Sequence, residues 1–175
     1  MFRKQVLAIA GAVVGMVVVF VVWRTMPQLF ARVPLPADDT ASRLAYSAQW
    51  LLLPGLTLMA GIMAAARRGF IRGAIEGTRT PDHYGLEITL RYNQNTLEQT
   101  VLAAIAWMGL VLALPHDQLI VIPAMAFLFF FGRITFWIGY RLHPLARTFG
   151  MVLTALPTVI AYGWLAWRGL GASSS

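Results

Sequence analysis

Apolar runs free of charge extend over 6–23, 44–66, 99–114, 118–132 and 148–167, separated by short stretches that hold nearly all the arginines, lysines and acids. A helix rises about 1.5 Å per residue, so about 20 residues cross the roughly 30 Å hydrocarbon layer of a bilayer. The first, second and fifth runs approach or reach that length alone. The third and fourth reach it only by taking in 95–98 and 133–140, which brings charged side chains into two of the helices. The pattern therefore predicts five spanning helices. Pro54, Pro123 and Pro157 fall inside them and predict bends, because each removes a backbone donor that neighbouring helices must make up for.

Composition supports a membrane protein. Hydrophobic residues make up 58% of the 175 and charged residues 12%, too apolar a balance for a soluble domain of this length. A polar, disordered chain is excluded by the same figures, and a disulfide scaffold by the absence of cysteine. The net charge of +7 raises nucleic acid as a partner, but the basic residues border apolar runs instead of lining one face between stacking aromatics. Orientation explains them better. Arg3, Lys4, Arg67, Arg68, Arg72, Arg79, Arg91, Arg141 and Arg147 fall on one side, and only Arg24, Arg32, Arg43 and Arg168 on the other. By the positive-inside rule the N-terminus and the 67–97 connection face the cytoplasm and the C-terminus faces outward; in a bacterial cell the host would be the inner membrane.

The first run follows Arg3 and Lys4 as a signal peptide would, yet it is long for one and lacks a clear small-x-small cleavage site after Trp23, so it reads as a retained anchor. Its Gly11 and Gly15 form a G-x-x-x-G step that permits close helix packing, although the spacing is common in membrane spans by chance. Segment 24–43, with Pro27, Pro34, Pro36 and Asp38-Asp39, reads as an outer linker, and 169–175 as a frayed tail.

Ionisable groups inside a span are costly unless they face protein or water, which makes them candidates for function. At about 100° per residue, Arg91, Asn95 and Glu98 share one face of the third helix, and Arg133, Trp137 and Tyr140 form a matching stripe on the fourth. The short connection at 115–118 makes these helices an antiparallel hairpin, which places Arg133 within a turn of Glu98 in depth. A Glu98–Arg133 ion pair that merely fixes helix register is one reading. The other is an anion site with a single acid, since Arg91, Arg147, Arg67 and Arg68 remain in surplus. Guanidinium groups take carboxylates in bidentate geometry, and a lone carboxylate among them suits an ammonium on the same ligand.

Four segments carry a family resemblance: A-A-A-R-R-G-F at 64–70, R-Y-N-Q-N-T-L-E at 91–98, F-G-R-I-T-F-W-I-G-Y at 131–140 and R-T-F-G-M-V-L-T-A-L-P at 147–157. In this order they resemble the MAPEG family, the membrane-associated proteins of eicosanoid and glutathione metabolism, over roughly 44–168. The resemblance implies an all-α integral membrane fold: a four-helix transmembrane bundle, here with one extra N-terminal transmembrane helix. It further implies a homotrimer with glutathione as cosubstrate held near the cytoplasmic face, and a lipophilic small-molecule substrate entering from the lipid bilayer. By family position Arg67, Arg91, Asn95, Glu98, Arg133 and Tyr140 would bind glutathione. Arg147 would be catalytic, with Thr148 beside it where the prostaglandin branch has serine. The chemistry implied is that of a glutathione transferase or glutathione peroxidase. Phe136 and Met151 stand where other branches carry tyrosine, which points away from a specific eicosanoid reaction. The family also holds a lipid-binding member that catalyses nothing, so a noncatalytic lipid-binding or scaffold protein of the same fold is the alternative.

Other motifs add little. His83, His116 and His143 lie on loops on both sides of the membrane without a carboxylate cluster, so no metal site is expected. Nucleotide-binding loops and a nucleophile elbow are absent. Segment 67–90, with Gly69, Gly73 and Gly77 among basic and apolar residues, reads equally as an inner-leaflet amphipathic stretch or a plain loop.

Overall fold

The computed structural model describes residues 2–71, 74–75, 84–143 and 145–172; Arg72, Gly73, Gly77, Arg79, His83 and the terminal serines of the reading above lie outside them. The elements are α1 (Phe2–Leu29), α2 (Thr40–Trp50), α3 (Leu52–Ala66) with a 3-10 turn at Arg67–Phe70, α4 (Tyr84–Ala113), a 3-10 turn at His116–Ile120, α5 (Val121–Leu142) and α6 (Thr148–Ala172). Among the described residues, five helical segments are long and apolar enough to cross a membrane, with α2 and α3 forming one of them. The protein is an all-α, multi-pass membrane protein.

The prolines act unequally, according to where they fall in each helix. Pro54 enters the first turn of α3, just after a break at Leu51, and its carbonyl accepts from the Thr57 hydroxyl at 2.8 Å. Pro123 sits in the first turn of α5, where no intrahelical donor is needed. Pro157 lies inside α6, and Pro27 lies inside α1, which runs past Trp23 to Leu29.

α2–α3, α4, α5 and α6 close a four-rod bundle, and α1 lies outside it against α6 and α5. Trp107, Val111, Leu119, Ile122 and Phe129 fill one core. α5 and α6 cross closely, and a Cβ on Gly132 would stand 2.9 Å from the Gly150 carbonyl oxygen. A Cβ on Gly150 would collide with Gly132 O and Phe136 N, both backbone atoms that cannot rotate away. The G-x-x-x-G step of α1 also serves as a contact: the Cβ positions of Gly11 and Gly15 lie 3.3 Å from Phe149 N and 3.0 Å from Val152 Cβ on α6.

At the end of the bundle holding the α1–α2 linker, Arg43 closes the C-terminus of α4. Its Nη1 donates to Val111 O at 2.9 Å and Leu114 O at 2.8 Å, carbonyls near the helix end, while Nε donates to Asp38 at 2.9 Å. Asp39 caps α2 by accepting from Ser42 N at 2.9 Å, and hydrogen bonding from the Ser42 side chain, then from its backbone N–H, holds the carboxyl below the usual range. His116 Nε2 and Pro36 O lie 2.8 Å apart, which ties the linker to the α4–α5 hairpin. The opposite, basic end is left to the start of α1, the Arg67–Phe70 turn, the start of α4, the end of α5 and the start of α6.

Candidate functional site

The site is built where the first half of α4 meets the last three turns of α5 and the first turns of α6. Arg133 sits in the middle with no exposed surface. Its Nη1 donates to Asn95 Oδ1 at 2.8 Å on α4, and its Nη2 to Thr154 Oγ1 at 2.6 Å on α6. The guanidinium stands 4.5 Å from the Phe136 ring centroid and 5.7 Å from that of Phe129, so aromatic faces supply part of the stabilisation that water would otherwise give. Nε is buried without a partner, and among the described residues no carboxylate forms an ion pair with this arginine.

Glu98 does not pair with Arg133. It is exposed on the outer face of α4 and accepts from Gln94 Nε2 at 2.8 Å. The stripe geometry explains the difference: Asn95 and Glu98 lie about 60° apart around the helix, enough to turn one inward and the other outward. Two neutral acceptors also hold the guanidinium without the cost of desolvating a second charge. Thr154, an acceptor the sequence reading did not single out, is placed by the same close crossing, one helical turn after Gly150.

Nearer the basic end, the Arg147 guanidinium lies 4.5 Å over the Tyr140 ring. Tyr140 is buried, and its hydroxyl is close enough to Arg91 to interact. Arg91 also forms an exposed pair with Glu87 four residues earlier, at 2.8 Å. Arg91, Tyr140 and Arg147 are therefore contiguous. Arg133 lies seven residues before Tyr140 on α5, which is about 10 Å deeper along the axis. The polar groups form one column, with Arg91 and Arg147 at its mouth and Arg133, Asn95 and Thr154 at its floor.

The remaining candidates are placed differently. Thr148 begins α6 and its hydroxyl donates to Leu145 O at 2.8 Å, closing the turn that presents Arg147. Arg67 reaches the start of α4, donating to Gly85 O at 3.2 Å and to Thr89 Oγ1 at 3.4 Å; its contacts are not with Tyr140 or Arg147. Phe136 and Trp137 pack against Tyr92, whose ring centroid is 5.0 Å from that of Trp137 and whose hydroxyl donates to Thr57 O at 3.2 Å. This aromatic wall joins α3, α4 and α5 beside the column. Met151, the other departure from tyrosine, packs partly buried against the same wall.

One face of α4 carries Glu87, Arg91, Gln94 and Glu98, of which Arg91, Gln94 and Glu98 are exposed and Glu87 is partly so. Part of this face borders a groove of about 610 Å³ between α3 and α4, lined also by Leu58, Ile62 and Leu97. Charged groups on a spanning helix are expensive against lipid tails. Among the described residues, no group of three or more His, Cys, Asp or Glu side chains is placed to hold a metal ion.

Compared with curated proteins and with solved structures, the chain has no match. The model of the MAPEG family matches residues 6–167, from the first spanning helix through the last, and takes in both the polar column and the helix that flanks it; the chain belongs to the MAPEG family.

Proposed function

We propose that this protein is a glutathione-binding membrane enzyme, with transferase or peroxidase chemistry on lipophilic electrophiles. The observation that carries the reading is the mouth of the column, where Arg147 and Arg91 flank Tyr140 with Glu87 as the neighbouring acid. Such a surplus of guanidinium suits a small peptide with more carboxylates than amines. Family membership agrees with it, because the family includes glutathione transferases.

In this reading Arg91, Glu98 and Tyr140 hold the peptide directly, Arg133 and Asn95 form the charged floor beneath it, and Arg67 lies at the rim. Arg147 stands beside the thiol, and Thr148 holds the turn that presents it. A cysteine thiol ionises at about pH 8.5, above neutral, and the thiolate is the nucleophile, so a fixed positive charge beside sulfur raises the reactive fraction. Each unit of lowered thiol pKa is about 1.4 kcal/mol of differential stabilisation. Sulfur then bonds to an electrophilic carbon delivered from the apolar side, displacing its leaving group or adding across its double bond with uptake of a proton. With a hydroperoxide it takes the terminal oxygen as the O–O bond breaks, releasing the alcohol and a sulfenic acid that a second glutathione turns into disulfide and water. Apolar surroundings exclude water and strengthen the charge effect. The N-terminus and the basic end face the cytoplasm.

The outward face of α4 supports an oligomer, taken here as a homotrimer, because Glu87, Arg91, Gln94 and Glu98 would otherwise meet lipid. A second copy covering them would also bring Glu98 and the exposed Arg91 into a shared site.

A second reading has its own support. Arg133 is wholly shielded, bonded to Asn95 and Thr154 and covered by two rings, as a cluster that only fixes helix packing would be. On that reading the protein binds lipid or scaffolds a partner without turnover. Calorimetry of the detergent-solubilised protein with glutathione separates the two. Binding that weakens at least tenfold in Glu98→Gln supports the enzyme; no heat at millimolar glutathione supports the scaffold.

A further inference from the structure

Arg147 is presented by a turn whose position depends on its neighbours. Ala146 N donates to His143 O at 2.9 Å, Thr148 N donates to Leu145 O at 3.3 Å, and Met151 N donates to Arg147 O at 3.0 Å, so the backbone of Arg147 leads directly into the first turn of α6. Two glycines from different helices press on this short segment. On the α5 side, a Cβ on Gly139 would stand 2.6 Å from Ala146 O and 3.0 Å from Arg147 N. On the α1 side, a Cβ on Gly11 would stand 3.3 Å from Phe149 N and 3.6 Å from Thr148 Cβ. One turn on, a Cβ on Gly15 would meet Val152 and stand 3.2 Å from Phe149 O. Val19 continues the seam, buried against Leu153.

We propose that α1 is a positioning helix for the candidate catalytic arginine, and that Gly11 is its point of action. The inference rests on the glutathione reading above and extends it to a helix outside the four-rod bundle. A Cβ at Gly11 meets main chain rather than a flexible tip, so the contact must give by a few tenths of an ångström, and the longer side chain of leucine needs more. A leucine there widens the spacing between α1 and the first turn of α6. Arg147 starts that turn, and its guanidinium rests on Tyr140 at 4.5 Å, so the displacement moves the charge relative to the Arg91 and Tyr140 groups that share the mouth of the column. Residues that bind from α4 and α5 stay where they are. The signature of the role is therefore a change in thiol activation with little change in glutathione affinity.

The test uses the full chain in detergent. In Gly11→Leu the expected glutathione Kd stays within about threefold of wild type, while kcat falls about tenfold or more and the pKa of the bound thiol rises by about one unit, the scale on which small misplacements act on catalysis. Val14→Leu, on the exposed face of the same helix, leaves all three unchanged. A merely structural role for Gly11 would lower thermal stability and affinity together and leave the bound thiol pKa alone, which would overturn the proposal. The contact itself is tested with Gly11→Cys/Thr148→Cys, because the chain has no cysteine of its own and the 3.6 Å separation falls within the roughly 3.5–4.5 Å Cβ spacing of disulfides. Efficient crosslinking in native membranes is expected, and its absence would also overturn the proposal. A wild type that binds no glutathione would sink the site itself. A wild type that binds and ionises it, with Gly11→Leu indistinguishable, would sink only the role of α1.

Discussion

Replacing the half-buried Asn95 by Leu removes the acceptor of one hydrogen bond, at 2.8 Å, from the fully buried Arg133. Arg133 Nε already lacks a partner, so among the described residues the variant leaves Thr154, at 2.6 Å, as the last side-chain acceptor for the guanidinium. A hydrogen bond to a charged group contributes about 1.5–3 kcal/mol, and a stranded buried donor adds its desolvation cost, so Asn95→Leu should destabilise by about 2–4 kcal/mol. Thr154→Val should cost a similar amount for the same reason. The triple variant Asn95→Leu/Thr154→Val/Arg133→Met behaves differently. It removes the charge along with both acceptors, and buried ionic clusters replaced by apolar side chains of similar size are often neutral or gain stability. The single changes should therefore be strongly non-additive, with the triple variant within about 1 kcal/mol of wild type. Thermal or denaturant unfolding of the detergent-solubilised protein measures this, and glutathione calorimetry on the same samples shows whether the stable triple variant has lost its ligand. Additive losses that leave the triple variant least stable would refute the reasoning, since the cluster would then be contributing packing that apolar residues cannot supply.

Three further outcomes follow from the geometry. Gly150→Ala, whose Cβ meets backbone on α5, should cost about 3 kcal/mol or more, while Gly163→Ala, with open space in α6, should gain about 0.5–1 kcal/mol from helix propensity; unfolding midpoints of the pair should move in opposite directions. Arg43→Met removes two bonds to carbonyls near the end of α4 and should cost about 2 kcal/mol, read as faster hydrogen exchange over the last turn of that helix. The Asp39 cap is held by a carboxyl whose folded pKa is lowered, so its contribution is present above the unfolded value and is lost as pH falls through the folded one; Asp39→Asn should flatten the acid limb of the stability profile, and an unchanged limb would contradict the assignment.

Much of this architecture is legible in the sequence, because the bilayer imposes a length on every apolar run. The five spans follow from spacing alone, and the inward Asn95 and Arg133 follow from helical periodicity with their depth set by the short hairpin. The partner of Arg133 does not follow. Charge arithmetic favours Glu98, but a 60° rotation around α4 turns Glu98 outward and leaves the neutral Asn95 and Thr154 as acceptors. Thr154 goes unnoticed in sequence because a threonine within an apolar run carries no charge signal; Gly150 one turn earlier, opposite Gly132, was the available clue. Arg43 looks like a flanking charge until the end of α4 arrives beside it. The role of Gly11 and Gly15 is equally hidden, since G-x-x-x-G spacing names a helix capable of close contact without naming its partner.

The most direct test of the central claim is the ultraviolet thiolate absorbance of glutathione bound at neutral pH, compared between wild type and Arg147→Ala under saturating ligand. The account predicts a bound thiolate in the wild type and its loss in Arg147→Ala. Equal thiolate in both, or a fully protonated thiol in the wild type, would contradict it.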